Sequence, residues 1–169
     1  MTGYIGLGTN LGDRRANLRF GVTGLEAAGL ELLELSSVWE CEPVDTPAPM
    51  WFLNMAVKVD ANRGPLELLE LLLDIERRAG RVRTVCNAPR ILDLDLLMLG
   101  DLELRGPRLH LPHPRMWQRR FVLEPLAEIA PDLLNPATGR TVAEERQRLR
   151  DAAVVNRAGR LATSSRLPV

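Results

Sequence analysis

In "PLELLELLLDIERRAG" the polar residues Glu67, Glu70, Asp74 and Arg77 are spaced i, i+3, i+7 and i+10, with apolar residues between them. That period predicts a helix with one solvated stripe, opened by Pro65 and stopped by Gly80. Glu76 leaves the stripe and lines up with Leu69 and Leu72. The spacing favours a carboxylate snorkelling at the rim of the buried face over one facing a pocket. A second helix is predicted after Asp13, which can cap it, with Leu18, Val22 and Leu25 at helical spacing. Gly21 and Gly24 weaken this helix, so its stability must come from packing.

Strands are predicted at Tyr4 to Gly8, which runs into the turn "GTNLGD", through the β-rich Glu31 to Glu40, and along the alternating "FLNMAVKVD" from Phe52. The prolines of "CEPVDTPAPMW" forbid regular structure between the last two. After Arg90 comes a strand, "ILDLDLLML". A polar turn at Gly100-Asp101 and the short return "LELRG" follow it. "LHLPHPRMWQRRFVLEPLAEIAPDLLNP" predicts a proline-broken loop and a short amphipathic helix. From about Arg150 periodicity fades. The expected architecture is α+β: a βαββαβ sandwich on a mainly antiparallel sheet, with an extra hairpin and C-terminal helices. One domain is expected over 1–149, with a loose tail over 150–169.

Composition changes this picture little. At 169 residues, 46% hydrophobic and 26% charged, the chain is ordinary for a globular domain. No run approaches a membrane span, and the start lacks a signal-peptide pattern. Cys41 and Cys86 stand apart, so two free thiols in a reducing, cytoplasmic setting are expected. Zero net charge argues against a general nucleic-acid or membrane-surface binder. The cations are nearly all arginine; Lys58 is the single lysine. Ten arginines, among them Arg81, Arg83, Arg90, Arg108, Arg115 and Arg119, fall between positions 77 and 120. Guanidinium groups bind phosphate oxygens bidentately, as ammonium cannot.

The same segment holds the candidate chemistry. Strand alternation sends Ile91, Asp93, Asp95 and Leu97 to one face and Leu92, Leu94, Leu96 and Met98 to an apolar core face. Carboxylates two residues apart can flank one or two divalent cations, and magnesium favours one or two carboxylates plus phosphate oxygens. An acidic strand end that discourages edge pairing has the same pattern. Arg81, Arg83 and Arg90 bracket the approach to the acids and shift the balance toward a nucleotide phosphate site. "HLPHP" adds His110 and His113 as phosphate donors or metal ligands, though two histidines alone make a weak zinc site. "GLGTNLG" has Leu11 where a dinucleotide loop needs its third glycine, and it lacks the parallel βαβ context. There is no P-loop.

These motifs together resemble the 6-hydroxymethyl-7,8-dihydropterin pyrophosphokinase family of folate biosynthesis. The resemblance runs from Tyr4 to Thr141 through "GTNLGD", "SSVWECEPV", "FLN", "IERRAGRVR", "PRILDLDLLMLG" and "LPHPRMWQRRFVLEPLAEIAP". It implies a ferredoxin-like fold, and transfer of the β,γ-pyrophosphoryl group of ATP to the pterin hydroxymethyl oxygen, leaving AMP. By the resemblance, Asp93 and Asp95 hold two magnesium ions, with Arg81 and Arg90 also catalytic. ATP is implied to contact Glu76, Arg81, Arg83, Arg90, Leu96, Arg108, His113 and Arg119. The pterin is implied to stack between Phe52 and Phe121. Asn54 is implied to read its edge, helped by backbone groups of Cys41, Glu42, Pro43 and Val44. A monomer or weak homodimer is expected.

The sequence departs from the family pattern before the acidic strand. "CNAPR" stands where "RWGPR" is usual, in a loop one residue short and without its tryptophan. A binding protein impaired by the altered Cys86-Asn87-Ala88 loop is therefore the alternative reading. An RNA-binding βαββαβ module ranks lower, for want of exposed strand aromatics and a basic face.

Overall fold

The computed structural model describes residues 1–43, 50–81, 89–150 and 153–162. Near the middle of its main sheet lies β1 (Thr2–Thr9), flanked by β4 (Phe52–Asp60) and β5 (Asp93–Leu99). Two short strands, β2 (Glu31–Leu35) and β3 (Trp39–Cys41), share the outer edge of β4, and β8 (Val155–Arg157) lies beyond β3. Every pairing is antiparallel. Ser36 covers the break between β2 and β3: its N–H donates to the Ala56 carbonyl at 2.9 Å, and its Oγ accepts from the Ala56 N–H at 2.9 Å.

Helices cover both faces. Leu18, Val22 and Leu25 of α1 (Arg14–Ala27) and Leu68, Leu72 and Ile75 of α2 (Pro65–Arg78) pack with Ile5, Leu7 and Val57 in one core. On the opposite face Tyr4, Ala56, Leu97 and Met98 pack against Val122, Leu123 and Leu126 of α3 (Arg120–Ile129) and Val142 of α4 (Val142–Arg148). The expected cap of α1 forms, and α2 has a cap of its own. Asp13 Oδ1 accepts from the Ala16 N–H at 2.9 Å, and Glu67 reaches back to the Gly64 N–H at 2.9 Å. The helix-weakening glycines of α1 allow close packing: a Cβ on Gly21 would lie 3.0 Å from Leu7, and one on Gly24 3.0 Å from Ile75.

Three expectations change. Met98 does not share the face of Leu92, Leu94 and Leu96. Tyr4 pairs with Met98 and Ile5 with Leu96, so Leu97 is an extra residue that sends Leu97 and Met98 to the same side. The return after Gly100-Asp101 does not pair with β5; β6 (Leu104–Arg105) pairs with β7 (His110–Leu111) in a separate two-stranded sheet. Residues 153–162 are docked rather than loose. β8 pairs with β3, and Arg15 donates to the carbonyls of Ala158 and Arg160. A strand held by backbone hydrogen bonds, with two of its three residues exposed, leaves little mark on the hydrophobic pattern. Among the described residues no helix is long and apolar enough to cross a membrane.

Candidate active site

Cross-strand register builds the floor of the site. Gly8 lies opposite Asn54 on one side and Asp93 on the other; Gly6 lies likewise between Ala56 and Asp95. The glycines contribute no side chains, so the sheet face opens into a cavity of about 320 Å³. Cys41, Glu42 and Phe52 line one end, Arg90, Asp93 and Asp95 the other, and Arg115, Gln118, Arg119, Phe121 and Pro125 form the opposite wall.

The two aspartates have unlike surroundings. Both oxygens of Asp93 are engaged, Oδ1 by Arg81 Nη1 and Oδ2 by Arg90 Nη1. Burial pushes its pKa up, but the two guanidinium groups outweigh burial and hold the carboxyl below its ordinary value. Asp95 makes no hydrogen bond or ion pair with the described residues. Burial, and then the charge of Asp93, raise its pKa to about 6. Among the described residues no group of three or more His, Cys, Asp or Glu side chains gathers as a metal cage. Two carboxylates that leave the remaining positions to phosphate oxygens and water suit magnesium.

Glu76 is buried, not at the rim. Its Oε1 accepts from Arg81 Nη1 at 2.5 Å and from the Leu94 N–H, the amide between the aspartates, at 2.8 Å. Its burial follows from partners outside its own helix, which helical spacing does not report. Asn10, also buried, clamps Arg90: its N–H donates to the Arg90 carbonyl at 3.1 Å and its Oδ1 accepts from the Arg90 N–H at 2.7 Å.

The opposite wall is cationic. Neither Arg115 nor Arg119 forms an ion pair with the described residues, and Arg119 lies 5.4 Å from the centre of the Phe121 ring. The His113 N–H donates to the Leu97 carbonyl at 2.8 Å. Burial, then Arg119 and Arg115, push the pKa of His113 down to about 4, so it is neutral at pH 7. Burial pushes the free Cys41 thiol up to about 12, leaving it a neutral wall.

Of the residues singled out from sequence, Cys41, Glu42, Phe52, Asn54, Arg90, Asp93, Asp95, Arg119 and Phe121 meet around this cavity. Arg81 and Glu76 lie behind the acids, and His113 and Pro43 lie outside the lining. Leu96 packs in the apolar core beneath the sheet, because the alternation that aims Asp95 at the cavity turns Leu96 away. Arg108 is exposed and pairs with Glu70 of α2, away from the cavity. Arg83, Val44 and the Cys86-Asn87-Ala88 loop lie outside the described residues. Sequence reasoning did not single out Gly6, Gly8 or Gln118, nor assign a role to Arg115. For the glycines the signal was present: they alternate along β1 as the aspartates alternate along β5.

Paired acids faced by the guanidinium groups of Arg115 and Arg119, next to two aromatic rings, form a site suited to phosphoryl transfer onto a flat acceptor. Comparison with known proteins gives this class a family. Residues 4–131 match the model of the 7,8-dihydro-6-hydroxymethylpterin-pyrophosphokinase family. A 2-amino-4-hydroxy-6-hydroxymethyldihydropteridine pyrophosphokinase of Bacillus subtilis (strain 168) is 42% identical over 143 residues, 84% of this chain and 86% of that protein. One from Synechocystis is 42% identical over 141 residues, 83% and 72% of the two chains. A Plasmodium falciparum HPPK-DHPS crystal structure superposes with a TM-score of 0.69 at 13% identity over 87% of this chain, which spans 43% of that longer one. The chain belongs to the 7,8-dihydro-6-hydroxymethylpterin-pyrophosphokinase family.

Proposed function

We propose that this enzyme transfers the β,γ-pyrophosphoryl group of ATP to the hydroxymethyl oxygen of 6-hydroxymethyl-7,8-dihydropterin, in folate biosynthesis. The hydroxymethyl oxygen bonds to the β-phosphorus, the bond from that phosphorus to the α,β-bridging oxygen breaks, AMP departs and the hydroxyl proton is released. Family membership supports the reaction, and so do relatives named as pyrophosphokinases.

One observation carries the site assignment: Asn54, Gly8 and Asp93 stand in one cross-strand row. Two strand spacings put Asn54 and Asp93 roughly 10 Å apart, a span that a pterin and a diphosphate can share. Phe52 and Phe121 hold the pterin and Asn54 reads its edge. Arg90, Arg115 and Arg119 bind and orient the phosphates, which places the β-phosphorus in line with the hydroxymethyl oxygen. Asp93 and Asp95 would hold magnesium, which when bound would neutralise charge on the phosphate oxygens. Arg81, fixed by Glu76, keeps Asp93 ionised and aimed at the cavity.

The strand order β5-β1-β4 followed by β2, with both crossover helices on one face, supports the ferredoxin-like assignment within a single domain. A cytoplasmic monomer or weak homodimer fits the reading. The relatives' names favour an active enzyme over an impaired binding protein. The test is AMP formation from ATP, magnesium and the dihydropterin; no AMP above background at substrate concentrations that saturate binding overturns the proposal.

A further inference from the structure

β8 lies beyond the residues matched by the family model, which end at 131, yet it pairs with β3, whose Cys41 lines the cavity. It pairs residue for residue with β3, setting Trp39 against Arg157, Glu40 against Asn156 and Cys41 against Val155. On its other side β3 pairs with Asn54, Leu53 and Phe52 of β4. Without β8, a three-residue β3 would be an edge strand with one row of backbone groups unpaired, the kind of element that frays.

The strand is fastened at both ends. At the cavity, the Glu42 N–H donates to the Val154 carbonyl at 2.9 Å, and the Val154 N–H donates to Glu42 Oε2 at 3.2 Å. At the far end, Val38 and Ala158 connect: the Val38 N–H donates to the Gly159 carbonyl and the Ala158 N–H to the Val38 carbonyl, both at 2.7 Å. Arg157 Nε bridges Ser37 Oγ at 2.9 Å and Glu128 Oε1 at 3.1 Å, tying β8 to α3. No such contact joins β8 to Arg90, Asp93, Asp95 or Arg119 among the described residues.

From this asymmetry we infer that the segment around β8 is a positioning element for the pterin half of the site. It holds Cys41 and Glu42, and through β3 the Phe52–Asn54 end of β4, in the arrangement that receives the acceptor, and it leaves nucleotide binding untouched. The inference rests on the reaction proposed above.

The experiment compares the full chain with a chain ending at Arg150, with Val154→Pro, which removes one donor to Glu42, and with Val154→Ala, which keeps it. Calorimetry reads the Kd for 6-hydroxymethyl-7,8-dihydropterin in the presence of a non-hydrolysable ATP analogue, and separately the Kd for the analogue. Truncation is expected to raise the pterin Kd about tenfold and Val154→Pro about threefold, as fits the loss of several hydrogen bonds or of one. The analogue Kd should change less than twofold, Val154→Ala should match the full chain, and kcat at saturation should hold while KM for the pterin rises. Amide exchange at Trp39 to Glu42 should quicken in the affected variants. An unchanged pterin Kd in Val154→Pro, or equal losses for both ligands, overturns the inference. If truncation abolishes the cooperative thermal transition, Val154→Pro decides. A full chain that does not bind the dihydropterin counts against the reaction itself; one that binds it with no loss in Val154→Pro counts against this role of β8 alone.

Discussion

Replacing Asp95 with asparagine should make the ligand-free protein more stable and the enzyme inactive. Asp95 is raised from 3.8 to about 6 by burial and by the neighbouring charge of Asp93, which the charges of Arg119 and Arg90 only partly offset. At about 1.4 kcal/mol for each tenfold step in proton affinity, keeping this carboxylate ionised at pH 7 costs the fold roughly 3 kcal/mol. The sign follows from linkage: the folded acid binds its proton more tightly than the unfolded one. The cost is absent below pH 3.8, grows between pH 3.8 and 6, and is fully present above. An amide carries no charge and keeps nearly the same shape. In chelated buffer at pH 7.5, Asp95→Asn should therefore melt higher by roughly 5 °C, allowing for relaxation around the new amide. With magnesium and an ATP analogue near 100 Kd, the wild type should gain about 2.7 kcal/mol of apparent stability and the variant little of it. Thermal unfolding with and without ligands, run beside the AMP assay, reads both halves. A variant that melts below the wild type without ligand would refute the reasoning, because Asp95 would then be serving the fold rather than a cation.

Three further outcomes are expected. Gly8→Ala would set a Cβ 2.9 Å from Asn54 Oδ1, so the buried amide must move; KM for the pterin should rise about tenfold, as for one lost hydrogen bond in a polar site, and an unchanged KM would remove Asn54 from the pterin edge. Glu76→Gln weakens a buried ion pair with Arg81 and should lower stability by about 3 kcal/mol in denaturant titration, with activity falling even where the variant stays folded; full activity would show that Arg81 needs no such support. His113 has its pKa depressed from 6.5 to about 4, so its stabilising contribution, complete above pH 6.5, is lost as pH falls through about 4; His113→Gln should flatten that part of the pH–stability curve, and an unflattened curve would place the imidazole in solvent.

The most legible part of the site was the acidic strand. "DLDLL" combines a period of two with a chemistry no core needs, so the face that carries the acids could be read from it. Legibility stopped where one residue shifts a register: nothing local marks Leu97 as a bulge, yet it decides that Met98 packs under α3. Glu76 was misplaced because helical spacing describes one helix, and the groups that draw it inward are Arg81 and an amide of β5. Gly6 and Gly8 were present in "GLGTNLG", but their use lies in what they omit, and only the strands on either side reveal the missing volume. β8 is secured by backbone pairing that side-chain patterning cannot express.

The lone lysine has a practical consequence. Lys58 sits on β4 between Tyr4 and Glu34, with its amine 2.7 Å from the Glu34 carboxylate. It is four residues from Asn54, roughly 14 Å along the strand, on the side away from the acids. In a chain whose other 21 strong bases are arginines, an amine-reactive dye or resin has a single side-chain target. Coupling there would tether the protein by the end of the sheet opposite its cavity, leaving both substrates free to enter.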